Sequence, residues 1–288
     1  MGLFFGILSG FLGSLSNNQF KKLARIPPWF LIGSQFAVGT LILSAAVTIF
    51  SEWKLPPLSF FFGLIILVAL EYLNSYLYTQ AFQLSPQSLV GPLFSLSVVF
   101  LAPLGIVILG EVPNVFGWFG IVLSVTGSLL LGFDMGDPSV RASMRTIFKE
   151  RGSYLMLGSA LLSAVTVIFT KSLYISVPPL LSGFWIFAGL AAVSLVVVIW
   201  RGFPSLSGEE HTPFLHLLAL TGLSAIFHYI GLALIPAVYF IAFKRSSIIF
   251  DVILGKTVHG ETHFRPRLLG ASVLFGGILL IVFSGQIF

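Results

Sequence analysis

The chain has 288 residues, 57% hydrophobic and 9% charged, with a formal net charge of +5 and a mean hydropathy of +1.02. A soluble domain carries roughly 25% charged residues, so the composition excludes a soluble globular fold and points to an integral membrane protein. No cysteine is present, which excludes disulfides and thiolate metal sites and leaves the compartment open.

A helix needs about 20 apolar residues to cross a bilayer, and backbone in lipid must satisfy its own hydrogen bonds. Cutting the chain at proline pairs, charges and polar clusters predicts ten spans, at 2–21, 29–50, 58–82, 86–108, 114–133, 153–172, 180–200, 212–234, 236–255 and 267–286. No basic stretch or small-residue cleavage site marks the first of these, which reads as a retained span and not a signal peptide. Spans one and two carry Asn17, Asn18, Gln19 and Gln35, neutral groups able to hydrogen-bond a polar ligand.

Span three carries Glu71 well inside it, with Asn74, Ser75 and Tyr78 on the same helical face at spacings of three, four and seven. An ionisable group in a span is costly and usually faces an interior pathway. Glu71 is therefore a candidate to bind a cation, carry a coupling proton or neutralise a basic partner; the alternative is a buried ion pair that only holds helices together. Span four opens at Pro86, a tolerated first helical position, and is interrupted by Gly91-Pro92 and again by Pro103, prolines that free carbonyls.

The central loop repeats Arg141, Arg145 and Lys149 every four residues, opposite Val140, Met144, Ile147 and Phe148. Ser139 is placed to cap such a helix. A short helix on an anionic leaflet and a solvated linker both fit this pattern. Lys171, ending span six, is expected to snorkel to the interface. Span eight adds His228, and span nine adds Lys244, Arg245 and Asp251. Asp251, seven residues past Lys244, shares its face about 10 Å further along, too far for a direct pair, so Lys256 or a residue on another helix is its expected partner. His259-Gly260-Glu261-Thr262-His263 does not match the zinc-protease spacing, and no metal or cofactor is expected.

The two halves repeat. Aligning 70–127 with 220–277 without a gap matches Pro86 to Pro236, Gly110 to Gly260, Glu111 to Glu261, Gly120 to Gly270 and Gly127 to Gly277. Ten spans then divide into five per copy, and an odd number inverts the second copy in the membrane, as in many secondary transporters. The expected organisation is a first repeat at 1–133, a basic linker at 134–152 and a second repeat at 153–288. Residues present in both copies most simply serve the fold: the glycines as packing positions, and Glu111 and Glu261 at the entries of spans five and ten, where a carboxylate favours the helix N-terminus. Ionisable residues without a counterpart, namely Glu71, Lys244, Arg245 and Asp251, are the functional candidates.

Ala81-Phe82-Gln83-Leu84-Ser85-Pro86, Leu109-Gly110-Glu111 and the pair Gly120 and Gly127 resemble the EamA-type unit of the drug/metabolite transporter superfamily, and Pro236, Gly260-Glu261, Gly270 and Gly277 repeat it. The resemblance spans essentially the whole chain. It implies ten helices, a central cavity lined by spans one to four and six to nine, and a small-molecule substrate. The stretch Pro236 to Gly255 also resembles the penultimate helix of phosphate-exchanging sugar translocators, in which a Lys-Arg pair binds substrate phosphate; the lysine those proteins carry in span four is missing here. The charge count puts eleven basic residues, among them Lys21, Lys22 and Arg25, on one side and only Lys54 and Lys171 on the other. The positive-inside rule then sets both termini outside, whereas the resemblance implies cytoplasmic termini.

The reading is an all-α, multi-pass protein of the plasma membrane, not an enzyme, that moves a small polar metabolite, anionic in the first instance, by alternating access. Lys244 and Arg245 are the expected substrate contacts, Glu71 and Asp251 the counter-ion or coupling groups, and Asn74, Tyr78 and His228 shape specificity. The alternatives are proton-coupled export of cationic or aromatic compounds through Glu71, and a non-transporting sensor or scaffold whose cavity is filled with apolar side chains. A lipid-modifying enzyme would need an interfacial catalytic pair, and none is found. The expected partners are the substrate and the bilayer, with no nucleic acid; oligomeric state is not legible.

Overall fold

The structure, a computed structural model, describes residues 1–104, 114–131, 145, 147–174, 177–234, 240 and 243–283. Among these residues the regular structure is entirely helical: α1 (Gly2–Lys22), α2 (Pro28–Phe50), α3 (Leu58–Leu84), α4 (Gln87–Phe94), α5 (Ser97–Leu104), α6 (Val115–Leu130), α7 (Arg151–Tyr174), α8 (Pro179–Arg201), α9 (Gly208–Leu234), α10 (Ser247–His259) and α11 (Phe264–Phe283). Among the described residues five helices, α2, α3, α8, α9 and α11, hold a window long and apolar enough to cross a bilayer. Gly110, Glu111, Pro236 and the linker residues Ser139, Arg141 and Met144 lie outside the described residues, as does the side chain of Lys171.

Burial is sorted as a lipid solvent requires. The buried face of α1 is largely polar, with Ser9, Ser14, Ser16, Asn17, Asn18 and Gln19 turned inward. Large apolar side chains such as Leu41, Ile49, Phe62, Ile65 and Trp200 point outward. In water such exposed area would drive association; against acyl chains it is the favourable surface, and the polar groups gather where they can bond one another.

Helices pair across the two halves: α1 with α9, α2 with α8, α3 with α7, α4 with α10 and α6 with α11. α6 packs on α11 backbone against backbone. A Cβ on Gly127 would lie 2.7 Å from Leu274 Cα, and one on Gly277 2.5 Å from the Ser124 nitrogen, so the late repeat glycines let the two backbones touch. Two apolar clusters form the core. One gathers Phe20, Leu23, Phe82, Leu89 and Leu93; the other gathers Leu43, Phe60, Leu67, Leu173 and Leu181.

Span four departs from expectation. Pro86 stands one residue ahead of α4 and not within it, and Pro92 lies inside the helix. The interruption falls after Pro92, at Ser95–Leu96, where Ser95 N donates to Pro92 O at 2.9 Å and Leu96 N to Leu93 O at 3.1 Å. These i→i−3 bonds tighten the backbone before α5 begins. The second copy turns at Arg245–Ser246, with Ser246 N donating to Phe243 O and Ile248 N to Arg245 O, both at 3.1 Å. The two turns are separated by the repeat offset, yet the residue matching Pro92 in the second copy is Ala242. Proline is therefore not the common cause of the two turns.

Glu261 also corrects its reading. It caps the start of α4 instead of its own helix: its carboxylate accepts from Gln87 N at 2.8 Å, Ser88 N at 3.0 Å and Ser88 Oγ. Lys21 Nζ at 3.2 Å and Arg267 Nη1 at 3.4 Å complete the cluster. A carboxylate at a helix N-terminus meets two orphan donors and the positive end of the dipole. At this same end of the bundle Ser85 Oγ donates to Glu150 at 3.0 Å and accepts from Gly152 N.

Candidate functional site

A cavity of about 400 Å³ opens in the middle of the bundle, with both apolar clusters contributing to its walls. Its polar lining comes from α1 (Ser9, Ser16, Asn17), α2 (Gln35), α3 (Glu71, Asn74, Ser75, Tyr78), α7 (Ser163, Thr166, Thr170), α9 (Thr221, Ser224, His228) and the turn before α10 (Lys244, Arg245). Glu71, Asn74, Tyr78, His228, Lys244 and Arg245 thus share one space. Asn18 and Gln19 are buried but do not line it.

The α3 stripe works as the helical spacing implies. Asn74 Nδ2 donates to Glu71 Oε2 at 3.0 Å, and its carbonyl oxygen accepts from Ser159 Oγ of α7 at 2.6 Å. Tyr78 donates through its hydroxyl to Asn17 Oδ1 at 2.8 Å, which joins α3 to α1. On α2, Gln35 Oε1 accepts from Thr221 Oγ1 at 3.0 Å, which joins α2 to α9.

The basic pair sits where the second interrupted span turns. Lys244 Nζ lies 3.1 Å from His228 Nδ1. An ammonium can only donate, so Nδ1 is the acceptor and the ring proton is on Nε2. Arg245 Nη2 donates to Ser97 Oγ at 2.7 Å, and its guanidinium carbon stands 4.5 Å from the centre of the Phe94 ring. Phe94 meets Tyr78 edge-on at 4.8 Å. The turns at Ser95–Leu96 and Arg245–Ser246 therefore face each other, with Arg245 between them. Among the described residues neither Lys244, Arg245 nor Glu71 has an ion-pair partner, and Arg245 Nε is buried without an acceptor.

Asp251 does not share this space. The turn at Arg245–Ser246 breaks the helical register between it and Lys244, so a face-sharing argument across the two fails. The side chain is 2% exposed and turns to α1 and α4, where Oδ1 accepts from Ser14 Oγ at 2.7 Å, Gln87 Nε2 at 2.8 Å and Asn17 Nδ2 at 3.3 Å. Sequence reasoning missed Ser14 and Gln87. Both are neutral residues in apolar runs, and only the buried carboxylate facing them reveals their role.

No functionally curated protein matches the sequence. Among solved structures, one crystal structure matches with a TM-score of 0.63 at 16% identity, covering 96% of this chain and 95% of the other. That likeness concerns the fold. The sequence profile of the EamA-like transporter family matches residues 1–133 and 150–283. The chain belongs to the EamA-like transporter family, and it is an integral membrane transporter.

Proposed function

We propose that this transporter carries a small polar anion by alternating access, with Lys244 and Arg245 as the anion-binding pair. The observation that carries the reading is a cavity holding two cationic side chains and one carboxylate, Glu71, with no ion pair among them in the described residues. Withdrawing a charge from water costs several kcal/mol per ion unless it is compensated. The compensation inside the bundle is partial: His228 and, beyond ion-pair distance, the Glu71 carboxylate for Lys244, and Ser97 with the face of Phe94 for Arg245. An entering carboxylate or phosphate would supply the missing charge, and the planar guanidinium suits bidentate binding of either.

The ten-span, inverted-repeat architecture is part of this proposal. It is supported by the helix pairing, which is unchanged when the halves are exchanged: α1 with α9 becomes α7 with α3, and α2·α8, α4·α10 and α6·α11 map onto themselves. It is also supported by the paired interruptions at Ser95–Leu96 and Arg245–Ser246. Apolar packing around a polar middle provides two barriers that can loosen in turn.

Reconstituted protein should take up members of an anion panel (inorganic phosphate, sugar phosphates, dicarboxylates), and Lys244→Ala or Arg245→Ala should reduce uptake at least about tenfold, the equivalent of about 1.4 kcal/mol. Uptake unchanged in both variants would remove the pair from the site. Transport of aromatic cations in place of anions, driven by protons and lost in Glu71→Gln, would favour the alternative in which Glu71 is the binding group.

A further inference from the structure

One buried carboxyl group is left over by the anion-binding reading. Asp251 lies behind the cavity wall, at the junction where α10 meets α1 and α4. Three donors converge on its Oδ1, and among the described residues no donor reaches Oδ2 and no cation lies within 4 Å. Oδ2 instead rests against Gly91, where a Cβ would fall 2.5 Å from it. One oxygen saturated by donors and the other given none favours the neutral acid over the carboxylate, because the oxygen without a donor then bears no formal charge.

We propose that Asp251 is a proton-binding site whose occupancy is coupled to the cavity through Asn17. The proposal rests on the transport reading for its consequence, but not for the site itself. Binding forms one O–H bond at Oδ2, with the proton drawn from solvent. In the neutral state α10 stays seated on α1 and α4. Loss of the proton leaves a carboxylate whose second oxygen has no donor among the described residues, and solvation of that charge favours opening of the junction to water. Asn17 transmits the change, because its Nδ2 donates to Asp251 while its Oδ1 accepts from Tyr78, which lines the cavity beside Phe94 and Arg245.

A metal cation fits this site poorly. Gln87 Nε2 is flanked by two acceptors, Asp251 Oδ1 and the Ser14 carbonyl at 3.1 Å, which fixes the amide with its NH₂ toward the carboxyl group. Its Oε1 is turned away and has no donor among the described residues. Hard cations take oxygen ligands, and here the amides present hydrogen. The charged and titratable groups around Asp251 are few. Glu261 stands beyond Gln87, already paired with Lys21 and Arg267, and Tyr78 is reached through Asn17. Lys244 and Arg245 precede Asp251 in the chain but face His228 and Ser97.

The test is pH-difference infrared spectroscopy of the full chain in lipid, without substrate. A protonated-carboxyl stretch that titrates with pH is expected in the native protein, in Glu71→Gln and in Glu261→Gln. It should be absent from Asp251→Asn. Asp251→Glu should keep it at a displaced frequency, and Asn17→Ala, which removes one donor, should move its titration midpoint. These two variants decide the matter if Asp251→Asn fails to fold. A stretch that survives unchanged in Asp251→Asn, or one insensitive to both Asp251→Glu and Asn17→Ala, overturns the proposal. So does a signal at fixed pH that appears only on changing sodium concentration. Anion uptake is measured separately in liposomes, so failure of the anion reading leaves this result standing.

Discussion

Arg245 donates through Nη2 to Ser97 Oγ at 2.7 Å, joining the turn in one interrupted span to the first residue beyond the turn in the other. The contact crosses from the second half of the chain to the first at cavity level. Arg245→Lys keeps the charge but loses the planar fork, so one ammonium must choose between Ser97 and a ligand. Initial uptake rates in liposomes should fall about tenfold or more. Ser97→Ala removes a single acceptor and should cost about 1–2 kcal/mol of stability with a smaller effect on rate. Comparable rates in Arg245→Lys and native protein would refute a bidentate role.

His228 holds Lys244 through Nδ1 at 3.1 Å. His228→Phe should leave the ammonium unanchored and raise the transport KM several-fold, while His228→Gln, whose side-chain oxygen can accept, should recover most of the loss. A KM unaffected in His228→Phe would show that the anchor is not used.

Glu261 clamps the start of α4 to α1 and α11. Burial pushes its carboxyl upward, but the Ser88 hydroxyl, the Ser88 and Gln87 N–H groups and Lys21 outweigh this and hold it below its ordinary 4.5. A carboxyl with a depressed folded-state pKa stabilises the fold fully above its unfolded value, and that contribution is lost as pH falls through the folded value. Glu261→Gln should therefore lower the thermal midpoint at neutral pH, by about 1–3 kcal/mol in stability, and the gap to native protein should close in acid. A gap that stays constant with pH would count against the clamp.

The α6–α11 crossing offers a contrast of two glycines in neighbouring positions. Gly277→Ala puts a methyl group against Ser124 and the Gly120 carbonyl and should cost about 1–3 kcal/mol. Gly276, with nothing within 4 Å of its would-be Cβ, should accept Ala with no loss. Melting curves in detergent read both, and equal midpoints would mean that the backbones do not touch.

Several features were readable from one dimension because their causes are local or periodic. Apolar composition dictates a membrane solvent. Residues three, four and seven apart on a helix must share a face, which is why Glu71, Asn74 and Tyr78 line one cavity. A fixed offset between Gly120 and Gly270, or Gly127 and Gly277, marks positions serving the same contact, and those glycines do meet on α6 and α11.

Other features depended on which helices pack against which, and no single-chain pattern encodes that. The turn at Arg245–Ser246 has no proline to announce it, and it separates Lys244 from Asp251 although both occupy one apolar run. Glu261 reads as a cap for the helix it precedes, yet the orphan N–H groups within its reach belong to α4, some 170 residues earlier. Ser14 and Gln87 are unremarkable as letters and become a carboxyl cradle only when α1 and α4 close around α10. Composition and periodicity determine that polar groups must turn inward; only the tertiary arrangement decides which of them meet, because a hydrogen bond needs atoms within about 3 Å and that proximity is set by packing between distant segments.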